Sequence, residues 1–542
     1  MKNYLVDLFK QAIEKISYLN EIEIQFNIPQ DSVNGDYSTN AAMLLTKILK
    51  KNPRQIAEEI ISNLDYDTNI ISKIDIAGPG FINFYFTHTY VNQIISVINT
   101  EKENFGLSNE FKGKTANVEF VSANPTGPLT VGHGRNAVLG DTLARLLESV
   151  GYKVEREYYF NNAGRQMRVL GESVAQRYLE ILGEDINFSE DYYQGEYIKD
   201  IAKNLAEKYN DSLKLKIDDE IFKNTAEQEI FNDIKNTLAS LKIEFNRFYN
   251  EDDLYKNKHI DDLLEFFESK GLSYKNEGAT WLKFSELGQE VDKVIVKSTG
   301  EPTYRLPDIA YHKTKFERGY DLIVDIFGSD HSATYPDVLA GVEALGYDKN
   351  KVKVIIHQFV TITQKGEVVK MSTRKANFIT LDELIDEVGA DVVRYFFIMR
   401  NYSSHMNFDL DLAKKQSDEN PVFYLKYAHA RISSILRMTE EQNLKSSLDN
   451  LDLLNEEIEQ KLIKHMHSYK EELYYSATNF EPHKLSNYLE NLASLFHKFY
   501  TECRIIGSER NLAEARIALI LAVKTILKNG LSILSIEAPE RM

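Results

Sequence analysis

The stretch that decides the fold of this chain is Asn124-Pro125-Thr126-Gly127-Pro128-Leu129-Thr130-Val131-Gly132-His133-Gly134-Arg135. It follows the apolar run 116–121, which is typical of a buried strand, and it leads into an amphipathic helical pattern over 133–150. A strand, a glycine-bearing turn and a helix in this order predict the opening of a parallel α/β sheet. In such sheets ligands bind at the carboxyl ends of the strands.

The turn itself favours a phosphate ligand. Backbone N–H groups and the positive end of the helix dipole point at whatever binds at a helix N-terminus. Gly132 has no Cβ, so that a flat base or a phosphate can approach the backbone, and His133 can donate a hydrogen bond to a phosphate oxygen. A plain strand–helix turn with a capping histidine is the alternative interpretation of the same residues.

A second segment, Lys370-Met371-Ser372-Thr373-Arg374-Lys375, carries three cations and two hydroxyls and is called the basic segment below. It follows a glycine turn at Gly366, which predicts a loop. Such a loop suits a clamp on a polyphosphate, whereas taken alone it is also compatible with a solvated run of charge. Its combination with the glycine-bearing turn favours one nucleotide held between two distant parts of a sheet.

Three regions of different texture predict three domains. Region 1–112 alternates helical patterns with short strands, and we expect an α+β domain there. Region 113–400 contains the turn and two further apolar runs at 322–326 and 352–356, which predict more parallel strands. Region 401–542 consists of long helical patterns with few glycines and predicts an all-α bundle.

The central domain is expected to contain an inserted region from about 160 to 303. This region is largely helical and acidic at first and then contains two hairpin-like runs, 280–284 and 293–297. The predicted fold class is therefore an α/β catalytic domain of the Rossmann type with an inserted connective region, an amino-terminal α+β domain and a carboxy-terminal helical bundle.

The bulk composition restricts the function further. The chain has 542 residues, is 43% hydrophobic and has a net charge of −18, which does not favour a simple nucleic-acid-binding protein. No apolar run approaches the roughly 20 residues needed to cross a bilayer, and Cys503 is the only cysteine. The first 17 residues mix charges into an amphipathic pattern, unlike a signal peptide or an organellar leader, so we expect a cytoplasmic protein without membrane contact.

The turn and the basic segment resemble the His-x-Gly-His and Lys-Met-Ser-Lys-Ser motifs of class I aminoacyl-tRNA synthetases. Two positions differ from the pattern: Thr130 stands at the first histidine, and Thr373 at the second lysine. We expect Arg374 or Lys375 to compensate in part for the missing lysine. Further blocks resemble arginyl-tRNA synthetases, in order along the chain: 34–41, 118–125, 162–166, 303–312, 389–396, 420–431 and 531–542.

The resemblance implies a two-step reaction. The carboxylate of arginine attacks the α-phosphorus of ATP, pyrophosphate leaves, and the arginyl group then passes to the 3′-terminal ribose of tRNA(Arg). Mg²⁺ would accompany the ATP, and no structural metal is expected. The residues implied in catalysis are His133, Lys370, Thr130 and Arg374, and those implied in ATP binding are Pro128, Gly132, His133, Lys370, Met371 and Ser372.

The resemblance also implies an arginine pocket. Asp308 would accept the guanidinium, because a carboxylate can receive two parallel hydrogen bonds from it. A helix N-cap is the alternative role of Asp308, and a satisfied loop histidine is the alternative role of His331. The complete set of implied arginine-binding residues is Glu119, Ser122, Asn124, Tyr304, Asp308 and His331.

The terminal regions resemble the tRNA-binding parts of this family, and a monomer is implied. The amino-terminal domain would contact the tRNA elbow, and the helical bundle would bind the anticodon. Lys426, Arg431 and Arg437 fall at spacings that predict a basic track on one helix face. Tyr424 and Tyr427 share a helix face there, and core packing is their alternative role.

Two other functions remain compatible with the motifs. One is another class I synthetase, such as the cysteine or glutamine enzyme, although a cysteine enzyme would be expected to have zinc-binding thiols. The other is a non-catalytic tRNA-binding relative, because Thr130 and Thr373 each remove a potential cation from the nucleotide site.

Overall fold

The computed structural model describes residues 1–29, 31–329, 332–369 and 379–542. The amino-terminal part contains α1 (Lys2–Lys15), β1 (Tyr37–Thr39), α2 (Ala41–Leu49), α3 (Pro53–Asn63), β2 (Ile71–Ala77), β3 (Phe81–Phe86) and α4 (His88–Glu101). Its three strands form an antiparallel sheet in the order β1-β3-β2. Phe84 of β3 is fully buried and packs edge-to-face against Phe9 and Phe26, which places aromatic rings at the centre of this core.

The middle of the chain alternates strands with helices. Its elements are β4 (Thr115–Glu119), α5 (Val131–Ser149), β5 (Lys153–Phe160), α6 (Gly164–Ile181), α7 (Glu196–Tyr209), α8 (Ile221–Ser240), β6 (Arg247–Asn250), α9 (Asp252–Lys256), α10 (His259–Ser269), β7 (Ser273–Asn276), β8 (Ala279–Leu282), β9 (Lys293–Val296), α11 (Arg305–Glu317), β10 (Leu322–Gly328), α12 (Tyr335–Ala344), β11 (Val352–His357), β12 (Val360–Gln364), β13 (Glu367–Val368), α13 (Leu381–Val388), α14 (Ala390–Ile398), β14 (Met406–Asp409) and α15 (Leu410–Ala413).

Five of these strands form a parallel sheet in the order β11-β10-β4-β5-β6. The chain continues from β4 to β5 on one side and reaches β10 on the other, so the strand order reverses at the carboxyl end of β4. Ligands of open parallel sheets bind at such a point. The sheet confirms the predicted α/β class, and its centre is the strand that precedes the glycine-bearing turn.

One strand of the sheet lies inside the predicted insertion. β6 pairs with β5 over four residues, from Glu157↔Arg247 to Phe160↔Asn250, and forms the edge of the sheet. Its sequence, Arg-Phe-Tyr-Asn, is short and lacks the apolar run that marks the other strands. The two predicted hairpin-like runs form β8 and β9, which pair antiparallel as expected, and β7 adds a third strand to this sheet that was not predicted.

The carboxy-terminal part is helical, with α16 (Pro421–Glu441), α17 (Glu457–His467), α18 (Tyr469–Thr478), α19 (Pro482–Glu502) and α20 (Arg510–Ile533). Helix α4 packs against this bundle. The amide of Asn92 donates to the carbonyl of Leu451 at 2.7 Å, and that of Asn99 donates to the carbonyl of Ala518 at 3.0 Å. Among the described residues no helix is long and apolar enough to cross a membrane.

A buried arginine of α14 connects the central sheet with the bundle. The guanidinium of Arg394 donates to Asp141 of α5 at 2.7 Å, to the carbonyl of Leu241 at 2.7 Å and to the carbonyl of Leu534, just after α20, at 2.8 Å. Both Arg394 and Asp141 are buried. Removing one member of such a pair leaves the other charge buried without compensation.

We therefore expect Arg394→Met to lower the free energy of unfolding by about 3–5 kcal/mol. The matched control is Arg510→Met, because Arg510 is exposed and pairs with Glu514 at 3.0 Å. Surface pairs contribute at most about 1 kcal/mol. The measurement is the urea transition followed by circular dichroism. Equal transitions for the two variants would contradict the structural role given to Arg394.

Candidate active site

The turn after β4 has a strained backbone. Val121 and Ser122 have φ values of 67° and 45°, in the left-handed region that a β-branched residue such as valine rarely adopts. The side-chain oxygen of Asn136 on α5 accepts the N–H of Val121 at 2.6 Å. This conformation ends the strand at Glu119 rather than at residue 121 as predicted. Strain that the surrounding structure maintains is characteristic of functional sites.

Thr130 and His133 cap the N-terminus of α5 reciprocally. The hydroxyl of Thr130 accepts the N–H of His133 at 3.5 Å, and Nδ1 of His133 accepts the N–H of Thr130 at 3.2 Å. Because a backbone N–H can only donate, Nδ1 is an acceptor and the ring proton is on Nε2. The capping role and the predicted donation to a phosphate are therefore compatible, since they use different nitrogens.

The glycines of this helix have different environments. Gly132 is exposed, and a Cβ there would meet only the Thr130 hydroxyl, at 3.6 Å, which leaves a face that a flat ring can approach. At Gly134 a Cβ would lie 2.5 Å from Cδ1 of Leu381, so that glycine permits close packing of α13 against α5. Pro128 is half-buried just before the helix.

The chain on both sides of the basic segment is held by backbone hydrogen bonds. The N–H of Val369 donates to the carbonyl of Ile362 at 2.9 Å, at the end of the β12–β13 hairpin. On the other side the N–H of Leu381 donates to the carbonyl of Leu129 at 2.8 Å, and Thr380 forms an antiparallel bridge with Thr130. Residue 380 therefore adjoins the glycine-bearing turn. Lys370, Met371, Ser372, Arg374 and Lys375 themselves lie outside the described residues, as does His331.

Asp308 lies in the first turn of α11 with its side chain turned toward other acids. Its burial, together with the charges of Glu119 and Glu251 and against that of His312, raises its pKa to about 7. Within the described part of the chain its carboxylate makes no hydrogen bond or ion pair. The alternative role of helix cap is wrong, because α11 begins at Arg305 and its N-cap is Tyr304.

Two residues that the sequence did not reveal adjoin Asp308. The hydroxyl of Tyr159 on β5 donates to Glu251 at 2.8 Å. Burial first, and then the charges of Glu251 and Asp308, raise the pKa of Tyr159 well above its usual range. Burial also raises the pKa of Glu251. Two carboxylates that are both costly to ionise therefore converge on Tyr159, an arrangement that a bound cation would stabilise.

The other predicted arginine-binding residues differ in their burial and in their contacts. The Glu119 carboxylate is buried and bonded to Lys315 of α11 at 2.5 Å and to the Ser122 hydroxyl at 3.0 Å. Asn124 accepts the N–H of Asn161 at 3.0 Å. Tyr304 is 82% exposed, one helical turn before Asp308. The structure thus brings Glu119 and Ser122 into direct contact.

One of the three cations of the predicted basic track on α16 is paired with an acid, and the other two donate to uncharged groups. Lys426 pairs with Asp391, and Arg437 donates to the carbonyl of Glu540 at 3.2 Å. Arg431 donates to the hydroxyl of Tyr500 at 3.3 Å. Each of the three cations thus contacts a group of another element, and the basic track on one helix face stays a prediction. Among the described residues no group of three or more histidine, cysteine or acidic side chains is arranged to hold a metal ion.

Three family models match the chain. The model of tRNA synthetases class I (R), catalytic domain, matches residues 94–403, the arginyl tRNA synthetase N terminal domain matches residues 3–86, and the DALR anticodon binding domain matches residues 425–542. With the parallel sheet and the capped helix N-terminus at its centre, these matches define the protein as a class I aminoacyl-tRNA synthetase.

Full-length relatives identify the family within this class. Two proteins named arginine–tRNA ligase match the whole chain: that of Desulfotalea psychrophila is 48% identical and is covered over 99% of its length, and that of Chlorobium limicola is 50% identical and is covered completely. The chain belongs to the arginyl-tRNA synthetase family, as the sequence predicted. The Thermus thermophilus arginyl-tRNA synthetase has the same fold, with a TM-score of 0.79, 20% identity and complete coverage of both chains.

The raised pKa of Asp308 predicts how the affinity for a guanidinium depends on pH. Below pH 7 the carboxyl of the unliganded protein is protonated and cannot accept two hydrogen bonds from a cation, whereas above pH 7 it is ionised. We expect arginine to bind roughly tenfold more weakly at pH 6 than at pH 8, with a proton released on binding. Calorimetry in two buffers of different ionisation enthalpy measures both quantities. A pH-independent affinity in this range would contradict the prediction, and Asp308→Asn should abolish the dependence.

Proposed function

We propose that this site joins arginine to tRNA(Arg) in two steps, with the residue roles given below. The arginine carboxylate attacks the α-phosphorus of ATP to form arginyl-adenylate and pyrophosphate, and a 3′-terminal ribose hydroxyl of the tRNA then takes the arginyl group and AMP leaves. The observation that carries the proposal is a partly buried carboxylate, Asp308, which has no partner among the described residues, in the same sheet-end site as a capped helix N-terminus. No covalent intermediate with the enzyme is required, so positioning and charge stabilisation account for catalysis.

The nucleotide half of the site is built on the N-terminus of α5. We assign Pro128 and Gly132 to adenosine, because the open face of Gly132 admits a flat ring. His133 would donate from Nε2 to a phosphate oxygen as negative charge develops there, with Nδ1 held by the N–H of Thr130. Thr130 would act mainly by orienting this ring, which a hydroxyl can do as a cap without carrying a charge.

The basic segment would supply the cations of the phosphate site. Lys370, Met371 and Ser372 are assigned to ATP by their motif, and Arg374, with Lys375, is assigned the role of the missing second lysine. The hydrogen bond between Leu381 and Leu129 supports this assignment, because the described chain that follows the segment adjoins the N-terminus of α5. Mg²⁺ would enter with ATP, bound to its phosphates, as part of the substrate.

The arginine half would be formed by Asp308 and Glu251 against the hydroxyl of Tyr159. A guanidinium presents five N–H donors in a plane and can serve two carboxylates at once. Tyr304 would cover the entrance, since it is exposed one turn before Asp308. Glu119, Ser122, Asn124 and His331 remain assigned to the amino-acid site, with Glu119 and Ser122 acting at the end of β4 through their mutual hydrogen bond.

The terminal regions are assigned to tRNA. Region 1–112 would contact the elbow, and region 401–542 would contact the anticodon, with 113–400 as the catalytic domain. In the first region Phe81 is 39% exposed, and in the last Tyr427 is 42% exposed and stacks on His497. Exposed rings of this kind can stack on unpaired bases. We further propose that the protein acts as a monomer in the cytoplasm.

The reaction is tested by exchange of labelled pyrophosphate into ATP over a panel of amino acids, with and without tRNA(Arg). We expect exchange with arginine alone, and only when tRNA is present. Exchange that depends on a different amino acid would contradict the proposed substrate. Absence of exchange with every amino acid, from a protein that binds tRNA(Arg), would instead indicate a non-catalytic relative.

The pocket is tested by Asp308→Ala. We expect kcat/KM for arginine to fall by at least about 30-fold, because a buried charge-assisted contact of about 2 kcal/mol or more is lost, while the KM for ATP stays unchanged. The matched control is Glu317→Ala, which removes an acid from the other end of α11, where it pairs with Lys313 at 3.0 Å. Equal losses for arginine and ATP would remove the pocket assignment.

A further inference from the structure

Three acids form a row across the middle of the parallel sheet. Asp325 of β10 is in register with Glu119 of β4, and Glu119 is in register with Glu157 of β5. All three side chains are buried. Residues in register on neighbouring parallel strands share one face of the sheet, so these carboxylates would repel one another without compensating cations.

Helix α11 covers this row with three basic residues. Lys315 lies between two of the acids, with Nζ 2.6 Å from Asp325 and 2.5 Å from Glu119. His312 contacts Asp325 at 2.9 Å, and Arg318 contacts Glu157 through two nitrogens at 2.5 and 2.9 Å. The bases are spaced at three residues, and Asp308 precedes them by four on the same helix. Lys315 alone contacts two acids of the row.

A first chain of contacts leads from Lys315 to Asp308. The second oxygen of Asp325 accepts from Nε2 of His312 at 2.9 Å, and Nδ1 of His312 donates to the carbonyl of Asp308 at 2.7 Å. Both ring nitrogens therefore face acceptors, so the ring is the cation. Although burial opposes this charge, the Asp325 carboxylate raises the pKa of His312 above its usual value. The chain fixes the backbone from which the Asp308 carboxylate extends.

A second chain of contacts leads from Lys315 to Glu251. The other oxygen of Glu119 accepts the hydroxyl of Ser122 at 3.0 Å, and Ser122 accepts the N–H of Tyr159 at 3.2 Å. The phenol of Tyr159 then donates to Glu251 at 2.8 Å. Both chains thus begin at Nζ of Lys315; the first ends at the backbone carbonyl of Asp308 and the second at the carboxylate of Glu251.

We propose that Lys315 is a positioning residue for arginine selection, which holds Asp308 and Glu251 at the separation that a guanidinium requires. The inference rests on the proposed function, because it takes these two acids as the pocket. Lys315 does not touch the substrate. Its ammonium is fully buried and has three donors, two of which serve the acids, while the charge lies 4.5 Å from the ring centre of Tyr311.

The role given to Lys315 predicts an effect on arginine binding but none on ATP binding. Among the described contacts, none of the hydrogen bonds of Lys315 or of its two chains reaches Thr130 or His133, which cap the nucleotide half. Loss of the ammonium should therefore displace the acids of the arginine pocket and leave ATP binding intact. A merely structural role would reduce the amount of active enzyme and leave both KM values unchanged.

The experiment is steady-state charging of tRNA(Arg) by Lys315→Met, with arginine and ATP varied in turn. We expect the KM for arginine to rise at least about tenfold, as a displacement of pocket groups predicts, and the KM for ATP to stay within about twofold. Lys315→Arg, which keeps the charge, should raise the arginine KM less than Lys315→Met does. The matched control is Arg318→Met, which removes the cation one turn further along α11; it should lower stability with both KM values unchanged.

His312→Gln provides a second test should Lys315→Met fail to fold, because it removes the ring that links Asp325 to the Asp308 backbone and leaves Lys315 in place. We expect a rise of at least about threefold in the arginine KM, with the ATP KM unchanged. Unchanged arginine KM values in the folded variants would overturn the inference. Asp308→Asn distinguishes a failure of the proposed pocket from a failure of the role given to Lys315. If Asp308→Asn leaves the arginine KM unchanged, the proposed pocket itself is wrong. If Asp308→Asn changes the arginine KM but neither Lys315→Met nor His312→Gln does, only the role of Lys315 is wrong.

Discussion

The ionic contact between helix α11 and the centre of the parallel sheet is the constraint on which the geometry of the proposed arginine half depends. Asp325, Glu119 and Glu157 lie in one row, and the bases of α11 oppose them at matching spacing. An apolar helix face could shift along a sheet with a modest loss of contact. A row of buried charges allows one position, because a displaced helix would leave several charges without partners. Such an interface is better understood as a device for specificity than as a source of net stability.

The proposed nucleotide half also depends on β4, because α5 contacts the chain just after the end of this strand. The side-chain oxygen of Asn136 on α5 accepts the N–H of Val121, whose backbone is strained. Glu119, two residues before Val121, contacts Lys315 of α11. The end of β4 is thus fixed on one side by α5, whose N-terminus we assign to the phosphates, and on the other by α11, which carries Asp308. The reaction requires a carboxylate oxygen of arginine to meet the α-phosphorus, and this shared strand end keeps the two halves in register.

What could be predicted from the sequence was local. The glycine-bearing turn and the basic segment each occupy a few consecutive residues, so their pattern is visible without a fold. Glu251 and Lys315 belong to no such local pattern. Their roles depend on contacts with β5 and β4, which are far away in the sequence. Helix α11 begins at Arg305 and not after Asp308, as the alternative cap role required, because Pro307 falls in the first turn, where a missing N–H costs nothing. Strand β4 ends early because Val121 takes a backbone conformation that its residue type does not suggest.

The paired acids of the proposed pocket would also explain how a site in an acidic protein can separate arginine from lysine, which carries the same charge. A lysine ammonium is a point charge with three donors and would serve one carboxylate well. The other carboxylate would then remain in an environment that has already raised its pKa, as burial does for both Asp308 and Glu251. A planar guanidinium can satisfy both acids. In the proposed pocket, selectivity would therefore come from the free-energy cost of the carboxylate that lysine leaves unpaired. This cost requires that the two acids be held at a fixed separation.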